Sequence, residues 1–185
     1  MTDTQQLRSA LTKIIWGYVF LYLDINLGVN GHSLNVLPNW VSFLLFFSAI
    51  GLLEEEVRDL PLLKPFCVLL GIAEGVNWLG VLLTGETVLY RFYLVYALVI
   101  CISIYFNFQM LTDVAALVEA RNIYAGALRA VRNGDAVLRA LWMLPLPWQE
   151  WEVLAVLLAL ANIVMCLCMV GLLIRARNMC CKGTA

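Results

Sequence analysis

Residues 14–53 constrain this chain more than any other stretch. An apolar run at 14–27 leads into a polar segment at 28–37, and a second apolar run follows at 38–53. Two such runs joined by a short turn predict a helical hairpin in a lipid bilayer, whose core takes roughly 20 apolar residues per helix. Gly28, Asn30, Gly31, His32, Ser33 and Asn35 favour turns and caps, and no Lys or Arg interrupts them. Pro38 suits the opening turn of the second helix, where a missing N–H costs nothing.

Composition extends that reading to the whole chain. Apolar residues make up 63% and charged residues 14%, with mean hydropathy +0.86. A soluble domain is nearer about half apolar and a quarter charged. At 185 residues there is no room for a large soluble domain as well, so residues 1–185 are expected to form one integral membrane domain. A net charge of -1 without a clustered basic face excludes nucleic acid as a partner. Cys67, Cys101, Cys166 and Cys168 lie in apolar runs and read as small hydrophobes. The single His32 and the lack of a Cys-x-x-Cys pair give no metal site and no cofactor. No G-x-S-x-G or H-E-x-x-H occurs, so an enzyme is not expected.

The fold expected is all-α, a polytopic transmembrane bundle of five full spans plus a short or distorted sixth segment. The spans fall at about 14–30, 37–53, 66–84, 87–111 and 153–174. The first is expected to stay uncleaved, since no small-residue cleavage site follows it. Residues 113–135 read as an amphipathic surface helix, interrupted near Asn133–Gly134, with Arg121, Arg129 and Arg132 on its polar side. Residues 136–148 are apolar but short and broken by Pro145 and Pro147, a pattern of re-entrant or interfacial segments. If they reverse the chain, both termini are cytoplasmic and Arg91 alone among the basic residues lies outside, as the positive-inside rule prefers. The expected location is the cell membrane.

Ionisable residues within the bilayer are costly and each needs a reason. Glu74 is the sharpest case, about nine residues into the third span and so roughly 14 Å deep. Gly71 and Gly75 bracket it in a G-x-x-x-G pattern that lets a neighbouring backbone approach, which turns this face inward. Glu74, Asn77 and Trp78 are candidate ligand-binding residues. Asp24 near the end of the first helix and Arg91 at the start of the fourth complete that candidate set, although Asp24 reads more readily as a turn-capping residue than as a ligand. Asn107, Gln109 and Asn162 read as interhelical hydrogen-bonding glue.

The segment Leu23-Asp24-Ile25-Asn26-Leu27, followed by Leu37-Pro38 and an apolar helix to Leu53, resembles a group of uncharacterised small membrane proteins of Gram-positive bacteria. That group ends its first helix in an Asp-x-Asn turn and opens its second with Leu-Pro-Asp-x-x-Gly. Here Asn39 and Ser42 stand at the Asp and Gly positions. The resemblance covers about forty residues and implies an integral membrane location and a bacterial source, but no activity. In size and six-segment layout the chain also looks like substrate-binding subunits of energy-coupling-factor transporters. That likeness implies a small molecule held near the outer face, where Trp40, Glu86, Tyr90 and Arg91 could lie. Two functions are open at this point. One is a binding or transport-associated protein holding a small molecule in the bundle. The other is a non-catalytic structural or regulatory subunit docking a protein partner through the amphipathic segment, and a homo-oligomer is open in either case.

Overall fold

The structure is a computed structural model and describes residues 4–23, 26–29, 32–144 and 151–181. Asp24, Pro145, Pro147 and Trp148 lie outside the described residues. The chain is helical: α1 (Thr4–Tyr22), α2 (Asn39–Leu53), α3 (Lys64–Thr84), α4 (Tyr93–Glu119), α5 (Gly126–Met143) and α6 (Glu152–Cys180). A two-stranded antiparallel ribbon, β1 (Asn26–Val29) with β2 (His32–Asn35), joins the first two helices, and a 3-10 turn (Leu60–Leu63) leads into α3.

By length and composition, α3, α4 and α6 are long and apolar enough to cross a membrane, and α2 is a shorter apolar helix. The outer surface suits lipid. Leu69, Ile72, Leu83, Leu94, Leu98 and Leu167 are all exposed large hydrophobics, far beyond the scattered singles of a soluble monomer. Most of α6 is exposed in this way, and among its described side chains Met169, Leu173 and Ala176 are buried.

The first helix starts and ends earlier than the apolar run suggests. Leu7, Ala10, Leu11, Ile14 and Tyr18 recur at helical spacing and are buried, so the polar-looking N-terminal stretch is already one face of α1. Helix geometry then stops at Tyr22, and residues expected to continue it enter the ribbon instead, in the register Asn26↔Asn35 to Val29↔His32. The sequence between those strands, Asn30-Gly31, is the dipeptide that most favours a two-residue hairpin loop. Pro38 precedes α2 in an extended conformation (φ -65°, ψ 128°), and the helix proper starts at Asn39.

The core is aromatic where α1, α2 and α4 meet. Tyr18 meets Phe46 edge-on at 5.0 Å, and Phe46 and Phe43 lie 5.5 and 5.9 Å from Phe106, spacings at which ring quadrupoles add to burial. Gly17 allows the α1–α2 approach, because a Cβ there would sit 2.5 Å from the Phe46 ring. At α3, Phe43 and Trp40 of α2 pack over Gly71 and Gly75, with Cβ–Cβ distances of 3.4 and 3.9 Å for an added methyl.

Two expectations for the second half are corrected. The segment 113–119 belongs to α4, which runs on to Glu119. Residues 126–143 form one helix, without interruption at Asn133–Gly134. Gly134 is the point where α6 comes close: a Cβ there would lie 2.5 Å from Met165 Cε. Its missing side chain serves packing, not a break.

Polar contacts collect at one end of the bundle. Gln6 donates to the Leu52 carbonyl (3.1 Å), Lys13 to Ser48 (2.6 Å) and Arg177 to Thr12 (3.3 Å). Arg121 pairs with Glu56 at 2.5 Å, Arg129 with Glu119 at 2.6 Å, and Lys64 with Glu54. The start of α1 and the end of α6 therefore share this end.

Candidate functional site

The opposite half of the bundle holds a cavity of about 370 Å³, within the usual size of a small-molecule pocket. Leu21 and Tyr22 come from the end of α1, Asn39 and Phe43 from the start of α2, and Leu70 and Glu74 from α3. Tyr90 comes from the loop before α4, while Tyr96, Val99, Ile100 and Ser103 come from its first half. Arg139 and Trp142 close the wall from α5, with Asn162 from α6.

Glu74 is set in this wall by a loop that folds back along α3. Gly85 ends the helix in a left-handed conformation (φ 77°), and its N–H bonds the Val81 carbonyl at 2.9 Å. The chain then descends the helix it has just left. Val88 lies over Gly80, where an added Cβ would sit 2.6 Å from Val88 Cγ2 and 2.9 Å from the Glu86 carbonyl. One turn down, Leu89 N–H donates to Asn77 Oδ1 at 2.8 Å. One turn further, the Tyr90 hydroxyl donates to Glu74 Oε1. Burial first, and the neighbouring Glu74 carboxylate second, push the Tyr90 phenol above its ordinary range. It therefore remains a hydrogen-bond donor.

A second polar group on α5 also borders the cavity. Arg139 Nε donates to both carboxylate oxygens of Asp135, at 3.1 and 3.0 Å, one helical turn back. Tyr22 of α1 donates its hydroxyl to the same Asp135, and the Arg139 guanidinium lies 4.9 Å from the Tyr22 ring centre. Asp135 is buried, whereas the Arg139 side chain is 22% exposed and opens on the cavity.

Of the described candidate ligand-binding residues Glu74 lines this cavity, and so do Tyr90 and Asn162, which the sequence singled out for other roles. Asn77 is buried and holds the loop that delivers Tyr90. Trp78 donates from Nε1 to the Asn35 carbonyl at 2.9 Å and meets Trp40 edge-on, tying α3 to the ribbon. Arg91 is exposed and makes no ion pair among the described residues. Asn107 and Gln109 bond within α4, to Ser103 and Asp113, instead of across helices, while Asn162 faces the cavity.

Sequence reasoning missed Tyr22, Tyr96, Asp135, Arg139 and Trp142 as site residues. A usable signal existed: Asp135 and Arg139 stand four apart beside an apolar stretch, where an internal pair is the cheapest way to carry charge into a bundle. Comparison with family models, with curated proteins and with solved structures found no match.

Proposed function

We propose that this chain is a multi-pass protein of the cell membrane that binds a small amphipathic molecule in the cavity, as a ligand-binding or transport-associated component. The observation that carries the reading is Glu74 on the wall of a 370 Å³ cavity that Arg139 also lines, with Tyr90 hydrogen-bonded to it. Intramembrane ionisable groups at a cavity are by default functional. A wall mixing Phe43, Leu70, Val99 and Ile100 with a few polar groups is what an amphipathic ligand needs.

In this reading α1, α2, α3, α4 and α6 are the five spans, and α5 is the shorter sixth segment. The end carrying Lys13, Lys64, Arg121, Arg129 and Arg177 faces the cytoplasm by the positive-inside rule, with both termini there. The cavity then lies toward the outer face, as the likeness to transporter substrate-binding subunits implies. The resemblance to the Gram-positive group points to a bacterial membrane. The alternative, a subunit that docks a partner through its amphipathic segment, is less favoured by the contacts. Arg121, Arg129 and Arg132 bond Glu56, Glu119 and Thr112 of this chain, and Leu128 and Leu138 are buried.

Native mass spectrometry of the gently solubilised protein tests the reading. A discrete added mass that is lost or weakened in Glu74→Gln supports it. A bare chain, or one that carries a protein partner and no small molecule, overturns it in favour of the subunit reading.

A further inference from the structure

We infer that Arg139 receives an organic oxyanion, a carboxylate or phosphate, as the anionic group of the molecule bound in this cavity. The inference rests on the ligand-binding reading above and names the chemistry of one end of that ligand.

The argument starts from the guanidinium, which has five N–H donors in a fixed planar fork. The hydrogen bonds it donates to Asp135 both run from Nε. The Nη1 and Nη2 ends carry the other four donors. The guanidinium also donates a hydrogen bond to the Tyr22 hydroxyl, which leaves further donors for a second partner. With the side chain 22% exposed onto the cavity, these ends are reachable from inside it. Asp135 and Tyr22 act as a mount. The carboxylate takes the Nε edge, the Tyr22 hydroxyl bonds the carboxylate, and the Tyr22 ring lies beside the cation at 4.9 Å. A guanidinium held at one edge presents the other without losing side-chain entropy on binding, the arrangement that favours bidentate recognition of oxyanions.

Asp135 does not oppose such a ligand strongly, because its side chain is only 3% exposed and lies behind the arginine. Glu74 does oppose an anion, but it stands on α3, whereas α5 packs chiefly on α4 and α6. The anionic end therefore belongs at the α5 wall, and the end toward Glu74 should carry a donor, a hydroxyl or an ammonium. The Tyr96 hydroxyl, Ser103 and Asn162 line the same cavity and can bond the remaining oxyanion lone pairs.

The test uses two probes that share one apolar body, indole-3-acetate and tryptamine, added to the full chain in detergent or nanodiscs and read by thermal stabilisation. The inference expects indole-3-acetate to stabilise the wild type. Apparent affinity should fall by at least about tenfold in Arg139→Gln, the scale of a lost charge-assisted hydrogen-bond pair. Because that variant strands Asp135 and can fail to fold, the double variant Asp135→Asn with Arg139→Gln keeps the site neutral and paired and should show the same loss. Stabilisation by tryptamine alone, sensitive to Glu74→Gln, overturns the inference while leaving the cavity reading intact. Stabilisation by neither probe counts against both. If phosphatidylglycerol in the nanodisc displaces indole-3-acetate, a lipid headgroup is the source of the anion. If it does not, the source is a soluble acid. Either result supports the oxyanion chemistry.

Discussion

Removing the Arg139 cation should expose how far this bundle depends on one charge pair. In Arg139→Gln, Asp135 remains buried at 3% side-chain exposure with the Tyr22 hydroxyl as its surviving interhelical partner. Stranding one member of a buried pair costs about 3–5 kcal/mol. The lower end applies here, because one hydrogen bond survives and the carboxyl can take up a proton to escape the charge penalty. Asp135→Asn alone should cost less, since Arg139 still reaches the cavity. The double variant replaces ion by amide at both positions with the same i, i+4 spacing, and a neutral hydrogen-bonded pair is worth about 1 kcal/mol. A double-mutant cycle should therefore return a coupling of about 2 kcal/mol or more. Reversible unfolding in mixed micelles of rising SDS fraction, followed by tryptophan fluorescence and far-ultraviolet dichroism, measures each corner. If Arg139→Gln lies within about 1 kcal/mol of the wild type, or the double variant is no more stable than the single, the pair is well solvated and the burial argument fails.

Other expectations test the elements around the site. Gly80→Ala should destabilise by about 1–3 kcal/mol, because its Cβ meets the Glu86 backbone as well as Val88, whereas Gly51→Ala and Gly171→Ala, which meet nothing within 4 Å, should be neutral or slightly stabilising. Thermal unfolding in one detergent compares all three, and equal effects would contradict the fold-back of the loop. Tyr90→Phe should leave the phenolate absorbance titration unchanged up to about pH 10, since burial and Glu74 hold that phenol protonated through the ordinary range. Loss of a component with an ordinary midpoint would show Tyr90 to be solvated. In a cysteine-free background, a cysteine restored at position 181 should resist an impermeant thiol reagent applied outside intact cells, and one at Arg91 should react. The reverse pattern would invert the topology.

The sequence made the membrane class legible, because a long apolar helix announces itself by composition alone, as α3, α4 and α6 do. Boundaries were harder wherever two signals overlapped. The α1 stripe of Leu7, Leu11 and Ile14 was hidden among polar residues, and the ribbon's alternating residues merged with the apolar run ahead of it. Glu74 was readable as a costly residue on a glycine-flanked face. Its partner was not, because Tyr90 reaches it through a left-handed turn at Gly85 and a bond to Asn77 that spacing does not encode. The Arg139 cluster was missed for a related reason. Charges on an amphipathic helix usually face water, and only the close approach at Gly134 and Met165 shows that this one is walled in by α6.

That same contrast between α5 and α6 bears on how the chain is made. A charged residue at mid-helix costs about 2.5–3.5 kcal/mol on insertion scales, and α5 carries Arg129, Arg132, Asp135 and Arg139. On the proposed topology it cannot leave the insertion machinery for lipid unaided. Its successor α6, apolar around nearly its whole circumference, can. On the proposed six-segment reading, synthesis passes through a stage when α5 waits beside α4 with its acid–base pair unshielded, and it is the arrival of Met165 against Gly134 that closes the wall. On that reading α6, which sends Met169, Leu173 and Ala176 into the core, acts as the latch that finishes the site.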